Sequence, residues 1–163
     1  MKTVVALEEH AQGAGDPPAV FLAGGISGCS DWQTEMTTLL SGTALTLLNP
    51  RRPDFPMDDP SAARTQIEWE YRHLKASDAA LFWFPCETLC PITLFELGAW
   101  SRTNKPLFVG THPEYQRRLD VLVQLSLARP EAAVVNSLDA LAAQVREWDA
   151  QSAVNYKTRT FVR

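Results

Sequence analysis

Short apolar runs alternate with amphipathic stretches along most of this chain. That rhythm constrains the fold more than any other feature. "AVFLAGG", "ALTLLNP", "AALFWFP", "KPLFVGT" and "AAVVNS" are short and apolar enough to be strands buried on both faces. Between them lie segments with helical spacing. In "DWQTEMTTLLSG", Trp32, Met36, Leu39 and Leu40 share a face, with Asp31 placed as a cap and Gly42 as a terminator. "ARTQIEWEYRHLKASD" puts Ile67, Tyr71 and Leu74 on one stripe, and three later segments repeat the pattern. Such alternation predicts an α/β fold: a single Rossmann-like or flavodoxin-like domain with a five-stranded, mainly parallel sheet and helices on both faces. One domain over residues 1–163 is expected. Residues 1–18 are read as irregular apart from a candidate edge strand at Thr3–Leu7, and residues 151–163 as a basic tail.

Composition narrows the function classes. The net charge of -4 argues against a broad basic surface for nucleic-acid polymers. The apolar runs are shorter than the roughly 20 residues of a membrane span, and the first residues lack a secretory apolar core. A cytoplasmic protein that engages neither membrane nor nucleic acid is expected. The three cysteines, Cys29, Cys86 and Cys90, include no C-x-x-C and no histidine pair at ligand spacing, so free thiols and no metal are expected.

In parallel sheets the ligand lies beyond the carboxyl ends of the strands. That rule singles out "GGISGCSDW", "NPRRPDF", "WFPCETLCPIT" and "GTHPEYQRR". Gly24, Gly25, Ile26 and Ser27 can cradle a phosphate or a sugar, or can simply form a tight strand-to-helix turn. Asn49 and Arg51 at the second strand end suit an anion, or a solvated loop. Trp83 and Phe84 alternate at the third strand end, so that one faces a pocket and stacks on a base, or both fill the core. His112 follows the fourth strand and is placed to line the pocket. No G-x-G-x-x-G and no phosphate-binding G-x-x-x-x-G-K-[ST] is present.

Glu96 stands out in "CPITLFELGAW", where its neighbours are almost all apolar or small. Burying an ionised carboxylate is costly unless it is paired. Two readings stand side by side. Thr93 and Glu96 fit a capping box, or Glu96 is a carboxylate held dry at a strand end, the setting of a nucleophile. Asp78, in "SDAALFWFP", reads locally as a turn residue.

"VFLAGGISG", "SDAALFWFP" and "PITLFELGAWSRTNKPLFV" together resemble the nucleoside 2-deoxyribosyltransferase-like family and its nucleotide N-glycosidase relatives, over about Val20–Val109. The resemblance implies attack on C1′ of a (deoxy)nucleoside or its 5′-monophosphate and a covalent glycosyl-enzyme resolved by a second base or by water. It implies Glu96 as the nucleophile, Asp78 as its acid/base or orienting partner, no cofactor, and a homo-oligomer with His112 and Arg117 near an interface. Two positions depart from the family pattern. Phe21 stands where many relatives have a tyrosine that holds the glutamate, and Cys90 where many have an aspartate that binds the 5′-hydroxyl. These departures keep a non-catalytic nucleotide-sensing module open as an alternative. A glycohydrolase of NAD-type dinucleotides would use the same chemistry.

Overall fold

The computed structural model describes residues 1–53 and 60–160, without the side chains of residue 60 and residues 153–160. The middle of "RRPDFPMDDPSA" and the last three residues of the tail lie outside the described residues.

The elements run β1 (Lys2–Val5), β2 (Ala19–Gly24), α1 (Trp32–Leu39), β3 (Thr46–Asn49), α2 (Pro60–Ala76), β4 (Ala79–Phe84), α3 (Pro91–Trp100), β5 (Leu107–Thr111), α4 (Arg118–Ala128), β6 (Val134–Val135) and α5 (Leu138–Thr160). The sheet has six strands in the order β1-β3-β2-β4-β5-β6, one more than the five expected. The addition is the N-terminal edge strand, which pairs in parallel with β3 from Lys2↔Thr46 to Val5↔Asn49. The tail also gains structure, because α5 continues to Thr160.

Every pairing is parallel. Without β1 the strand order is that of a flavodoxin-like sheet, with its topological switch point between β2 and β4. The chain moves one way from β2 to β3 and the other way from β4 onwards. Right-handed crossovers then put α1 on one face and α2, α3 and α4 on the other. The two cores match this division. Trp32 and Met36 of α1 and Leu141 and Val145 of α5 pack over Val20, Leu22 and Leu81. Trp69 of α2, Leu97 and Trp100 of α3 and Val121 and Leu125 of α4 pack over Phe21, Ala80 and Phe82.

Local signals are kept at several ends. Asp31 caps α1, its carboxylate accepting from the Thr34 N–H at 3.1 Å. Gly42, at φ +91°, takes the left-handed conformation that favours glycine just past the end of α1. The stripe of α2 is different from the one read in the sequence. Trp69, His73 and Gln66 are buried, whereas Ile67 and Tyr71 are exposed. His73 stacks on Trp69 at 4.0 Å, and its Nδ1–H donates to the Trp69 carbonyl at 2.9 Å. Two aromatic rings and a polar pair thus anchor α2, leaving Ile67, Tyr71 and Leu74 to face a cavity.

Candidate functional site

The cavity, about 650 Å³, lies between α2 and α3 on the face that these helices share. It opens at the switch-point loops and continues down the sheet, so it reaches further from the strand ends than the loop rule alone implies. Phe21 and Ala23 of β2 line its floor. Ile67, Glu70, Tyr71, Leu74 and Lys75 line the α2 wall, and Ile92, Thr93, Phe95, Glu96 and Trp100 the α3 wall. Gly24, Gly25, Ile26, Ser27, Thr88 and Cys90 also line it. A pocket of this size suits a small-molecule ligand.

The capping-box reading of Glu96 does not hold. The N-cap of α3 is Cys90, with Pro91 opening the helix, so Glu96 lies too far along to reach the cap N–H. Its carboxylate has no hydrogen bond or ion pair among the described residues. Burial and the charge of Glu70 push Glu96 up to about 8. Burial likewise pushes Glu70 upward, against a 2.8 Å hydrogen bond from the Gln66 side-chain amide. That amide also donates to the Pro50 carbonyl at 2.7 Å, which orients Glu70 from the end of β3. Desolvation and mutual repulsion disfavour the two carboxylates being ionised at once. Such a pair can supply an acid and a nucleophile or base in the same pocket.

Asp78 is placed elsewhere. It precedes β4 at the amino end of the sheet and does not line the cavity. Its carboxylate accepts from the Ala19 N–H at 2.8 Å, while its own N–H donates to the Ala19 carbonyl at 2.9 Å. This reciprocal clamp starts β2 and β4 side by side. Glu70 is the acid that sequence reasoning missed. It lies on the cavity-facing stripe with Ile67, Tyr71 and Leu74, and an acid among apolar side chains was the signal that singled out Glu96.

The other expected residues divide in the same way. Gly24–Ser27 line the cavity. A Cβ on Gly24 would meet Trp32 at 2.4 Å and the Trp83 carbonyl at 2.5 Å, so only glycine fits that approach. Arg51 does not line the cavity but clips the loop. Its Nη2 donates to the carbonyls of Ile26 at 2.7 Å and Ser30 at 2.9 Å, and its Nε donates to Gln33 Oε1 at 2.9 Å. Trp32 Nε1 and Gln33 Nε2 donate to the Gly25 carbonyl at 2.8 and 3.1 Å. The carbonyls are thereby tied back, while the N–H groups of Ile26, Ser27 and Gly28 have no protein partner among the described residues. Asn49 is buried, and its side-chain oxygen accepts from the Arg51 N–H at 2.9 Å, so it shapes the turn.

Trp83 and Phe84 are both core residues and do not line the cavity. Trp83 packs against Gly110 and the α1/α5 face, and Phe84 against Tyr115 at 5.1 Å on the opposite face. Alternation along β4 sends them to opposite faces, and both faces are covered by helices. His112 also lies away from the cavity, with Nδ1 accepting from the Glu114 N–H at 3.2 Å. Cys90, at φ +46°, is a buried non-glycine residue in the left-handed region, which marks strain at a site edge. Desolvation raises its thiol to about 12, so it sits in the cavity wall as a neutral group. Phe21 brings an apolar ring to the floor, where a tyrosine would bring a hydroxyl.

A family model described as "nucleoside 2-deoxyribosyltransferase like" matches residues 17–115. The chain belongs to this family. No curated protein matches it. The matched span of the family model runs from just before β2 to just after β5, and so contains both carboxylates and the loop after β2. Membership supports a transferase-type enzyme acting on a small nucleoside-class molecule. Among the described residues no helix is long and apolar enough to cross a membrane.

Proposed function

We propose that this protein cleaves or transfers at the N-glycosidic bond of a (deoxy)nucleoside or its 5′-monophosphate, with Glu96 as the nucleophile. The observation that carries this reading is the pair of desolvated carboxylates, Glu96 and Glu70, on facing walls of one cavity. In this proposal Glu70 takes the acid/base role that the sequence assigned to Asp78, because Asp78 is engaged at the Ala19 N–H.

A Glu96 oxygen attacks C1′, the C1′–N bond breaks, and its electron pair leaves with the base. Glu70 delivers its proton to that base. Water or a second base then attacks C1′ while Glu70 takes a proton, and Glu96 departs as carboxylate. Two inversions give net retention. An oxocarbenium-like sugar beside Glu96 favours its ionised form and leaves the proton to Glu70, which sets the two roles. The N–H groups of Ile26 and Ser27, which line the cavity and have no protein partner among the described residues, support a sugar or phosphate end at the β2 loop. Tyr71 and Phe95 are exposed aromatic lining residues and are offered as the base side in place of Trp83 and Phe84.

The homo-oligomer belongs to this proposal too. Ile67, Tyr71, Ile92 and Phe95 are more than half exposed around the cavity, and Leu119 and Leu127 add a further apolar stripe on α4. Large exposed apolar patches mark interaction surfaces. Light scattering on the purified protein tests it, and a monomer at all concentrations would remove it.

Incubation with deoxynucleosides, their monophosphates and NAD, followed by chromatography for free base or nicotinamide, tests the chemistry. Release that survives Glu96→Ala would sink the proposal. A second reading, ligand sensing without turnover, is favoured by Phe21, which gives Glu96 no hydroxyl partner. Binding of a monophosphate with no base released would decide for it.

A further inference from the structure

Outside the cavity, the structure brings Cys86 beside His112 and Glu114, a pair far along the sequence from it. β4 and β5 pair with Phe84 opposite Thr111, and the His112 N–H donates to the Phe84 carbonyl at 2.8 Å. The residues just past the two strand ends therefore emerge together. One donor atom each from Cys86, His112 and Glu114 lies within 4.8 Å of the other two. Each of the three side chains is at least partly open to solvent.

We propose that Cys86, His112 and Glu114 form a binding site for a divalent transition-metal ion of the zinc type. A thiolate, an imidazole and a carboxylate are the donors that such ions take, whereas calcium and magnesium require oxygen ligands. Tetrahedral bonds of about 2.0–2.3 Å put donors roughly 3.3–3.8 Å apart, so closure needs about 1 Å of side-chain movement. Three protein donors leave a fourth position for water. Binding replaces two weak contacts: the 3.2 Å Glu114 N–H to His112 Nδ1, and the 3.6 Å Cys86 S–H to Glu87. The thiol proton is released to solvent as the metal–sulfur bond forms.

The site would join the segment after β4 to the segment after β5. Tyr115 already ties them, its hydroxyl donating to the Leu89 carbonyl at 2.8 Å. Thr88 and Cys90 of the first segment line the cavity, so an occupied site would stiffen that wall. The proposal does not depend on the chemistry of Glu96.

The test is a cobalt(II) titration of the full, reduced, tag-free chain after chelator treatment. One equivalent is expected to give a near-ultraviolet thiolate-to-cobalt band with tetrahedral visible bands, all displaced by zinc. Cys86→Ser should remove the thiolate band, while the double variant Cys29→Ser, Cys90→Ser should keep it. His112→Ala and Glu114→Gln should each weaken binding at least about tenfold, the lower end of what loss of even an outer-shell partner does. Zinc should raise the melting temperature of the wild type and not of Cys86→Ser. Absence of a thiolate band in the wild type, or its persistence in Cys86→Ser, would overturn the site.

Discussion

The loop after β2 and the walls of α2 and α3 border the same cavity but treat polar groups in opposite ways. In the loop, Arg51, Trp32 and Gln33 satisfy the carbonyls of Gly25, Ile26 and Ser30. On the walls, among the described residues, Glu96 has no partner and Glu70 has only Gln66, and both are pushed toward protonation. Satisfied polar groups hold shape, while unpaired ones in a desolvating pocket wall store the capacity to react. The difference teaches which acids to test for chemistry and which for stability.

The largest expected effect is on the walls. Glu96→Gln should lower base release about 10⁴-fold or more, as removal of a covalent nucleophile does. Activity near the wild-type level would erase the distinction between wall and loop. Glu70→Gln should lower kcat by about 10²–10⁴-fold. It also removes the charge that raises Glu96, so the acid limb of the pH–rate profile should move to lower pH. A profile that stays in place would show that Glu70 does not act on Glu96.

In the loop the effects should fall on binding and stability. Arg51→Ala releases carbonyls from a charged donor and should destabilise the chain by about 2–3 kcal/mol, raising KM more than it lowers kcat. Denaturant midpoints and steady-state kinetics separate the two. A pure kcat defect would move Arg51 into the reactive group.

The walls also predict a gain. Glu96 is raised from its ordinary 4.5 to about 8 in the folded chain. Between those values the folded state binds a proton that the unfolded state has lost, so this group's contribution to stability falls as pH rises through the window. Above pH 8 the folded chain carries the buried charge in full. Glu96→Gln should therefore be more stable than wild type by roughly 4 kcal/mol at pH 8, with the gain vanishing toward pH 4.5. Urea midpoints at the two pH values check this, and an equal difference at both would contradict the burial argument. The smallest effect belongs to Asp78→Asn. Loss of the charged acceptor for the Ala19 N–H should cost about 1 kcal/mol in urea, with kcat within about twofold of wild type. A collapse of kcat would restore Asp78 to the site.

Much of this architecture was legible in local pattern. The apolar runs became β2 to β6, Asp31 capped α1, and Glu96 was singled out by its apolar neighbours. Periodicity is a local property, so it survives without knowledge of partners. Face assignment was less legible. Ile67 and Tyr71 matched a core stripe, but Trp69 and His73 took the core because their rings stack and fill the space above Phe21. Trp83 and Phe84 could not be assigned to a pocket or to the core from alternation, since that depends on whether helices cover both faces.

By itself the sequence determined the alternating α/β rhythm, the family, and the placement of Glu96 in the helix after β4. Each rests on residues within a few positions of one another. Only the tertiary structure decided that Glu70, 26 residues before Glu96, is its neighbour, that Asp78 serves the start of β2, and that Cys86 meets His112 and Glu114. Those contacts depend on strand order and on the right-handed crossovers that send α2 and α3 to one face. Short-range spacing carries no record of either.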